Sequence, residues 1–259
     1  MREPGLAAIR RESVGKIFEV LSDGGLHSRV ALAESSGLSL MTVGKVIGLL
    51  ESASLVTQKK EDTASAGRKS SLCALDKSKS CVVIGESSVF VVNLCGEVTR
   101  GIPFDGDPGM TVMGAVLDLD EPFGVGRIAY ENAPFVNFPA DITLDPVRAA
   151  ALGRFENSGV YIRLSGDSTV SGAAVVIGGR LFEGARGLAG RGCDTPLKAV
   201  FAAEFLDPDE IVAELPDGVT GAYVPENVTV FTPEEGRRAA AAGMAKLLIS
   251  RRLDLICDV

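Results

Sequence analysis

The sequence predicts an α/β protein in two parts: a winged helix-turn-helix head over residues 1–75 and an α/β body over residues 81–259. Three observations carry this. Apolar residues recur at helical spacing through residues 4–53; the pattern then changes to two short β-prone stretches around a basic tip; and from Cys81 onward strands alternate with turns until a long Ala-rich helix closes the chain.

In the head, Val14, Ile17, Phe18 and Leu21 fall at i, i+3, i+4, i+7 and share one helix face. Asp23-Gly24-Gly25 stops that helix. Ser28 caps a second, short helix from Arg29 to Ser35, with Leu32 and Ala33 inward, and Gly37 supplies a turn. Ser39 caps a third helix, Leu40 to about Ser52, in which Val43, Val46, Ile47 and Leu50 repeat the apolar spacing. Leu55-Val56-Thr57 and Ser71 to Leu75 are β-prone and flank the polar segment containing Gly67-Arg68-Lys69, which makes a wing. Asp76 to Ser80 reads as a linker.

In the body, Cys81 to Ile84 and Val89 to Leu94 form a hairpin around Glu86-Ser87-Ser88. Residues 100–135, rich in Gly, Pro and Asp, read as irregular. Asp145-Pro146 opens a helix through about Phe155, with Asp as cap and Pro at the first helical position. Val160 to Leu164 and Ala173 to Ile177 read as paired strands, followed by a Gly-rich loop from Gly184 to Gly192 and a helix from Pro233 to Leu253. No internal repeat is visible in the sequence.

Composition narrows the function classes. The 259 residues suffice for two modest domains, and at 46% hydrophobic with no Trp the core is aliphatic. No apolar run approaches the roughly 20 residues of a membrane span, and Met1 to Arg11 lacks the apolar region of a secretory signal, so a cytoplasmic protein without membrane contact is expected. Five dispersed cysteines and one histidine suit reduced thiols and argue against a zinc site; no metal or cofactor is expected. The net charge of −8 divides unevenly: residues 1–75 hold ten Lys/Arg against eight Asp/Glu, a net +2, leaving −10 on the remainder. A slightly basic head on an acidic body is compatible with DNA binding and disfavours nonspecific adhesion by the body.

A helix-turn-helix places the N-terminal end of its second helix against base edges. With the apolar face of the third helix buried, Met41, Thr42 and Lys45 point outward near its start. Thr42 suits a phosphate or base edge, Lys45 a phosphate or guanine, and Met41 a thymine methyl. Ser28 and Ser39 lie at the two helix starts, while Arg29 and the wing cations Lys59, Lys60, Arg68 and Lys69 are placed to neutralise phosphates. Spacing alone leaves open a second reading, a small helical dimerisation module with a solvated basic loop.

The run HSRVALAESSGLSLMTVGKVIGLLESASLV, followed by SAGRKSSLCAL, resembles the winged helix-turn-helix of the ROK family (repressor, open reading frame, kinase). CVVIGESSVFVVNLCGEV resembles that family's opening strand pair, LDPVRAAALGRF its catalytic-base helix, SGAAVVIGGRLFEGARGLAGRG its second glycine-rich region, and PENVTVFTPEEGRRAAAAGMAKLLI its closing helix. The resemblance implies an actin/hexokinase-like body, shortened and with its chemistry removed. Where the family's kinases carry an Asp-x-Gly-Gly-Thr phosphate turn, this chain has Gly85-Glu86-Ser87-Ser88, so that Glu86 would repel phosphate. Asp145 matches the catalytic Asp but follows Leu144 rather than Asn, and it equally suits a helix N-cap. The sugar- and zinc-binding Glu-x-Gly-His becomes Arg191-Gly192-Cys193-Asp194, without the cysteine cluster that follows it in the family. The second phosphate turn, Ser165 to Gly172, equally suits a plain hairpin. The expectation is a non-enzymatic, sequence-specific regulator, a repressor by the family's name. Its partners are double-stranded DNA, a second copy of the chain and an unidentified small-molecule effector. The alternative is a divergent ROK sugar kinase or sugar-sensing repressor.

Overall fold

A computed structural model describes residues 6–60, 71–119, 121–165, 169–183, 208–217 and 227–258. The head comprises α1 (Leu6–Leu21), β1 (His27–Ser28), α2 (Arg29–Ser36), α3 (Leu40–Ser52), β2 (Val56–Lys60) and β3 (Ser71–Leu75). Val14, Ile17, Phe18, Leu21, Leu32, Val43, Val46, Ile47 and Leu50 all enter one hydrophobic cluster. The helical period therefore selected the buried face of each helix, except that Ala33 is only partly buried. The strands form an antiparallel sheet in the order β1-β3-β2, with Thr57 opposite Ala74 and His27 opposite Cys73. The two-residue β1 escapes a reading of the sequence because a pair of residues carries no period.

The body contains two five-stranded sheets. The first has the order β6-β5-β4-β7-β8, from β4 (Ser80–Ile84), β5 (Ser88–Asn93), β6 (Val98–Pro103), β7 (Val125–Ile128) and β8 (Ile142–Leu144). The second has the order β11-β10-β9-β12-β13, from β9 (Gly159–Leu164), β10 (Val170–Ile177), β11 (Arg180–Leu181), β12 (Glu210–Glu214) and β13 (Thr229–Phe231). In each, the first three strands pair antiparallel and the last two join parallel. The body is thus duplicated in topology, although the sequence shows no repeat.

Helices α4 (Pro108–Leu117), α5 (Pro146–Arg154) and α6 (Pro233–Cys257) complete the described elements. The α5–α6 pair lies between the sheets: Cys81, Val83 and Phe90 from one sheet and Tyr161, Val176 and Val212 from the other share a core with Ala149, Ala150, Met244 and Leu248. Strand β4 is buried on both faces, since Val82 and Ile84 turn the other way, into a cluster with Val112 and Ala115 of α4.

The irregular reading of residues 100–135 is corrected: this stretch holds most of β6, all of α4 and β7. Asp107 accepts a hydrogen bond from Gly109 N at 2.8 Å with Pro108 in the first helical turn, the same start signal that opens α5. Its Gly and Pro punctuate the ends of short elements rather than preventing them. The linker Asp76 to Ser80 is a bonded turn, with Asp76 N donating to Leu55 O at 2.9 Å and Ser80 already in β4. The final helix runs past Leu253 to Cys257 and starts with a Thr232–Glu235 capping box. The Gly-rich loop from Gly184 lies outside the described residues.

Helix α6 also reaches the head. Ile249 and Cys257 are buried in the head's cluster together with Leu94 from the end of β5. Arg10 donates to the Cys257 carbonyl at 3.0 Å, and Arg11 pairs with Asp254 at 3.4 Å. One helix therefore belongs to both cores.

Candidate nucleic-acid interface

The geometry around α2 and α3 follows from three local choices. Ser28 Oγ accepts from Ala31 N at 3.1 Å and starts α2. Gly37, at φ +69°, ends it in the left-handed conformation that a side chain would oppose. Ser39 Oγ then accepts from Thr42 N at 3.2 Å and starts α3. The two helices diverge by 110° at this turn.

With Val43, Val46, Ile47 and Leu50 buried, the opposite face of α3 is open. Met41 is 73% exposed and Leu40 56%. Lys45 is exposed and borders a hollow shared with Arg10 and Ser13 of α1. Thr42 is half-buried, its hydroxyl 2.9 Å from Ser39 Oγ. Between and beyond these lie Gly44 and Gly48, where an added Cβ would meet nothing within 4 Å. Met41, Gly44, Lys45 and Gly48 follow helical spacing, so this face combines one cation, one flexible apolar side chain and two bare stretches of backbone. Leu40 and both glycines are not among the residues that the sequence singles out; glycine inside an otherwise periodic helix was the available signal.

Arg29 is exposed at the start of α2 and lies near the Cys73 thiol. Burial pushes that thiol's pKa up, and the guanidinium acts against this. Lys59 is exposed on β2, and Lys60 ends the strand with its backbone opposite Ser71. Arg68 and Lys69 lie outside the described residues. The structure therefore brings Ser39, Met41, Thr42 and Lys45 together at one helix start, with Ser28 and Arg29 at the other.

The body's positions of interest separate. Gly85 N donates to Ser88 O at 2.9 Å, and the Phe90 ring packs over Gly85, so the β4–β5 turn is closed on itself. Asp145 is engaged as a cap, Oδ1 accepting from Val147 N at 2.9 Å and Arg148 N at 3.2 Å. Residues 166–168 and Arg191 to Asp194 lie outside the described residues. A cluster not foreseen from the sequence centres on buried Glu214, which accepts from Tyr161 Oη at 2.8 Å and pairs with Arg163 at 3.1 Å. Arg163 also lies over the Tyr130 ring, 5.4 Å from its centroid. Burial raises the Glu214 carboxyl above its ordinary pKa in spite of Arg163 and Arg237. Among the described residues no group of three His, Cys, Asp or Glu could hold a metal ion. No single described helix is long and apolar enough to cross a membrane.

No protein-family model matches the chain, and no curated protein does. A solved structure described as a ROK family transcriptional regulator, a homolog of the E. coli MLC protein, superposes with a TM-score of 0.57. The match covers 96% of this chain and 99% of that one at 14% sequence identity. The likeness extends through both parts of the chain and gives it a ROK-type fold.

Proposed function

We propose that this chain is a sequence-specific DNA-binding transcription regulator of the ROK type, with residues 1–75 as a winged helix-turn-helix and residues 81–259 as a body without kinase activity. The observation that carries the reading is the α2–turn–α3 unit. Its 110° divergence falls in the range of DNA-reading helix pairs, and the exposed start of α3 offers Met41, Thr42 and Lys45 beside two glycines. In a major groove the bare backbone at Gly44 and Gly48 would permit close approach, Lys45 would reach a guanine or phosphate, and Met41 a thymine methyl. The strands β2 and β3 form the wing, with Lys59, Lys60, Arg68 and Lys69 neutralising phosphates and Ser28, Arg29 and Ser39 fixing the helix starts on the backbone.

In the body, the closed Gly85–Ser88 turn, Glu86 within it and the capping role of Asp145 all favour loss of phosphoryl transfer. That chemistry depends on a phosphate cradle and a base aimed at the acceptor. The body then serves dimerisation, which lets two heads read a palindrome, and response to a small molecule; the protein works in the cytoplasm. The test is selection of bound fragments from genomic DNA, followed by titration of the selected site against salt. Specific retention whose affinity falls steeply with salt is expected, and replacing Arg68 and Lys69 by Ala should reduce the slope by roughly 0.9 for each phosphate no longer neutralised. Retention with no sequence preference and no salt dependence would remove the reading.

A further inference from the structure

We propose that the groove between α1 and α6 binds a small zwitterion with an apolar side chain, an aliphatic α-amino acid. Binding stands on the groove alone; that it alters DNA affinity rests on the regulator reading above.

Two hollows, of about 460 and 730 Å³, lie side by side along the α1–α6 seam and share Gly15, Ser250 and Leu253 as lining. The smaller falls in the size range of small-molecule sites. Its walls come from both parts of the chain: Phe18 from the head, Leu94 from the end of β5, and Ile249 and Leu253 from α6 supply an apolar floor. Lys246, Glu156 and Glu19 supply charge of both signs.

Lys246 is half-buried and donates to Leu152 O at 2.9 Å, one acceptor for three ammonium protons. Burial lowers its pKa, and Glu156 acts in the opposite direction. Its other two ammonium donors find no protein acceptor among the described residues, so they are open to one that a ligand brings. A ligand carboxylate meets that need. An ammonium on the same ligand meets Glu156 and Glu19, and an aliphatic side chain covers the floor. A simple anion uses only Lys246, and a simple amine uses only the carboxylates.

Gly15 is the second observation. It lies inside α1, where glycine weakens a helix, yet an added Cβ would meet nothing within 4 Å and its φ is not in the left-handed region. Neither backbone conformation nor packing demands glycine there. Its effect is to leave the saddle between the two hollows open.

The test uses the full chain and isothermal calorimetry with L-leucine, 4-methylpentanoate and 3-methylbutylamine. One-site saturation by L-leucine is expected, with each singly charged analogue weaker by at least roughly tenfold, as befits one charged hydrogen bond left unmade. Lys246→Met should abolish binding. Gly15→Leu fills the saddle and favours the helix, so it should melt no lower than the parent and yet fail to bind. Absence of saturable L-leucine binding, unchanged binding in folded Gly15→Leu, or an analogue equal to L-leucine would overturn the proposal. DNA retention is measured separately. Its persistence without leucine binding removes only this site; its absence with leucine binding intact removes only the regulator reading.

Discussion

Gly153 of α5 and Gly243 of α6 face each other where the two central helices cross. A Cβ on Gly153 would overlap the carbonyl oxygen of Ala239, and one on Gly243 would overlap that of Ala149. The contact is reciprocal, and it brings the backbones together beside Ala149 of the body's core. Gly153→Ala or Gly243→Ala should therefore force the helices apart. The expected loss is about 1–3 kcal/mol, as for other overpacked cores. Urea denaturation measures it; a midpoint unchanged from the parent would mean the crossing is not as close as described.

Gly48 offers the opposite case on α3. Gly48→Ala meets open space, so it should raise stability by up to about 1 kcal/mol through helix propensity. On the face proposed to enter the groove, the new methyl group should nonetheless weaken DNA retention. Lys45→Ala in the same face should weaken specific binding by about 1–3 kcal/mol. Operator affinity equal to the parent's in both folded variants would place the DNA contact elsewhere.

Glu214 gives the body a pH dependence. Its folded-state pKa is raised, chiefly by burial, so the folded chain holds this proton more firmly than the unfolded chain does. Its contribution to stability is greatest below the ordinary glutamate pKa of about 4.3 and declines as pH rises from there through the raised value. Glu214→Gln carries no titrating proton and should lack this component. Denaturation at a series of pH values reads the difference; parallel curves for the two proteins across that window would exclude Glu214 as the source.

Asp145 tests the proposed absence of phosphoryl transfer. Asp145→Ala removes acceptors for Val147 N and Arg148 N and should lower stability by about 0.5–2 kcal/mol. The parent should turn over no Mg-ATP with glucose or N-acetylglucosamine, so the variant has no activity to lose. Turnover in the parent that Asp145→Ala abolishes would restore the kinase alternative.

Much of the head was legible in the sequence because its determinants are local. The spacing of Val14, Ile17, Phe18 and Leu21, the caps Ser28 and Ser39, and the left-handed Gly37 act within one or two turns of chain, and the structure places each as the spacing predicts. Asp145-Pro146 was legible for the same reason, and Asp107-Pro108 carried the same signal but was obscured by its Gly- and Pro-rich surroundings. The outward face of α3 followed from its inward face, so Met41, Thr42 and Lys45 could be named, while the open space at Gly44 and Gly48 shows only in the structure.

What only the tertiary structure decided is long-range. The repeated strand order arises from pairings such as β4 with β7 and β9 with β12, separated by dozens of residues. The approach of Gly153 to Gly243, the burial of Glu214 between Tyr161 and Arg163, and the entry of Ile249 and Cys257 into the head's core belong to neither partner's own segment. Local sequence sets which face of an element is apolar. Which other apolar face it meets is settled only when the chain closes its long loops and the competing burials are compared together.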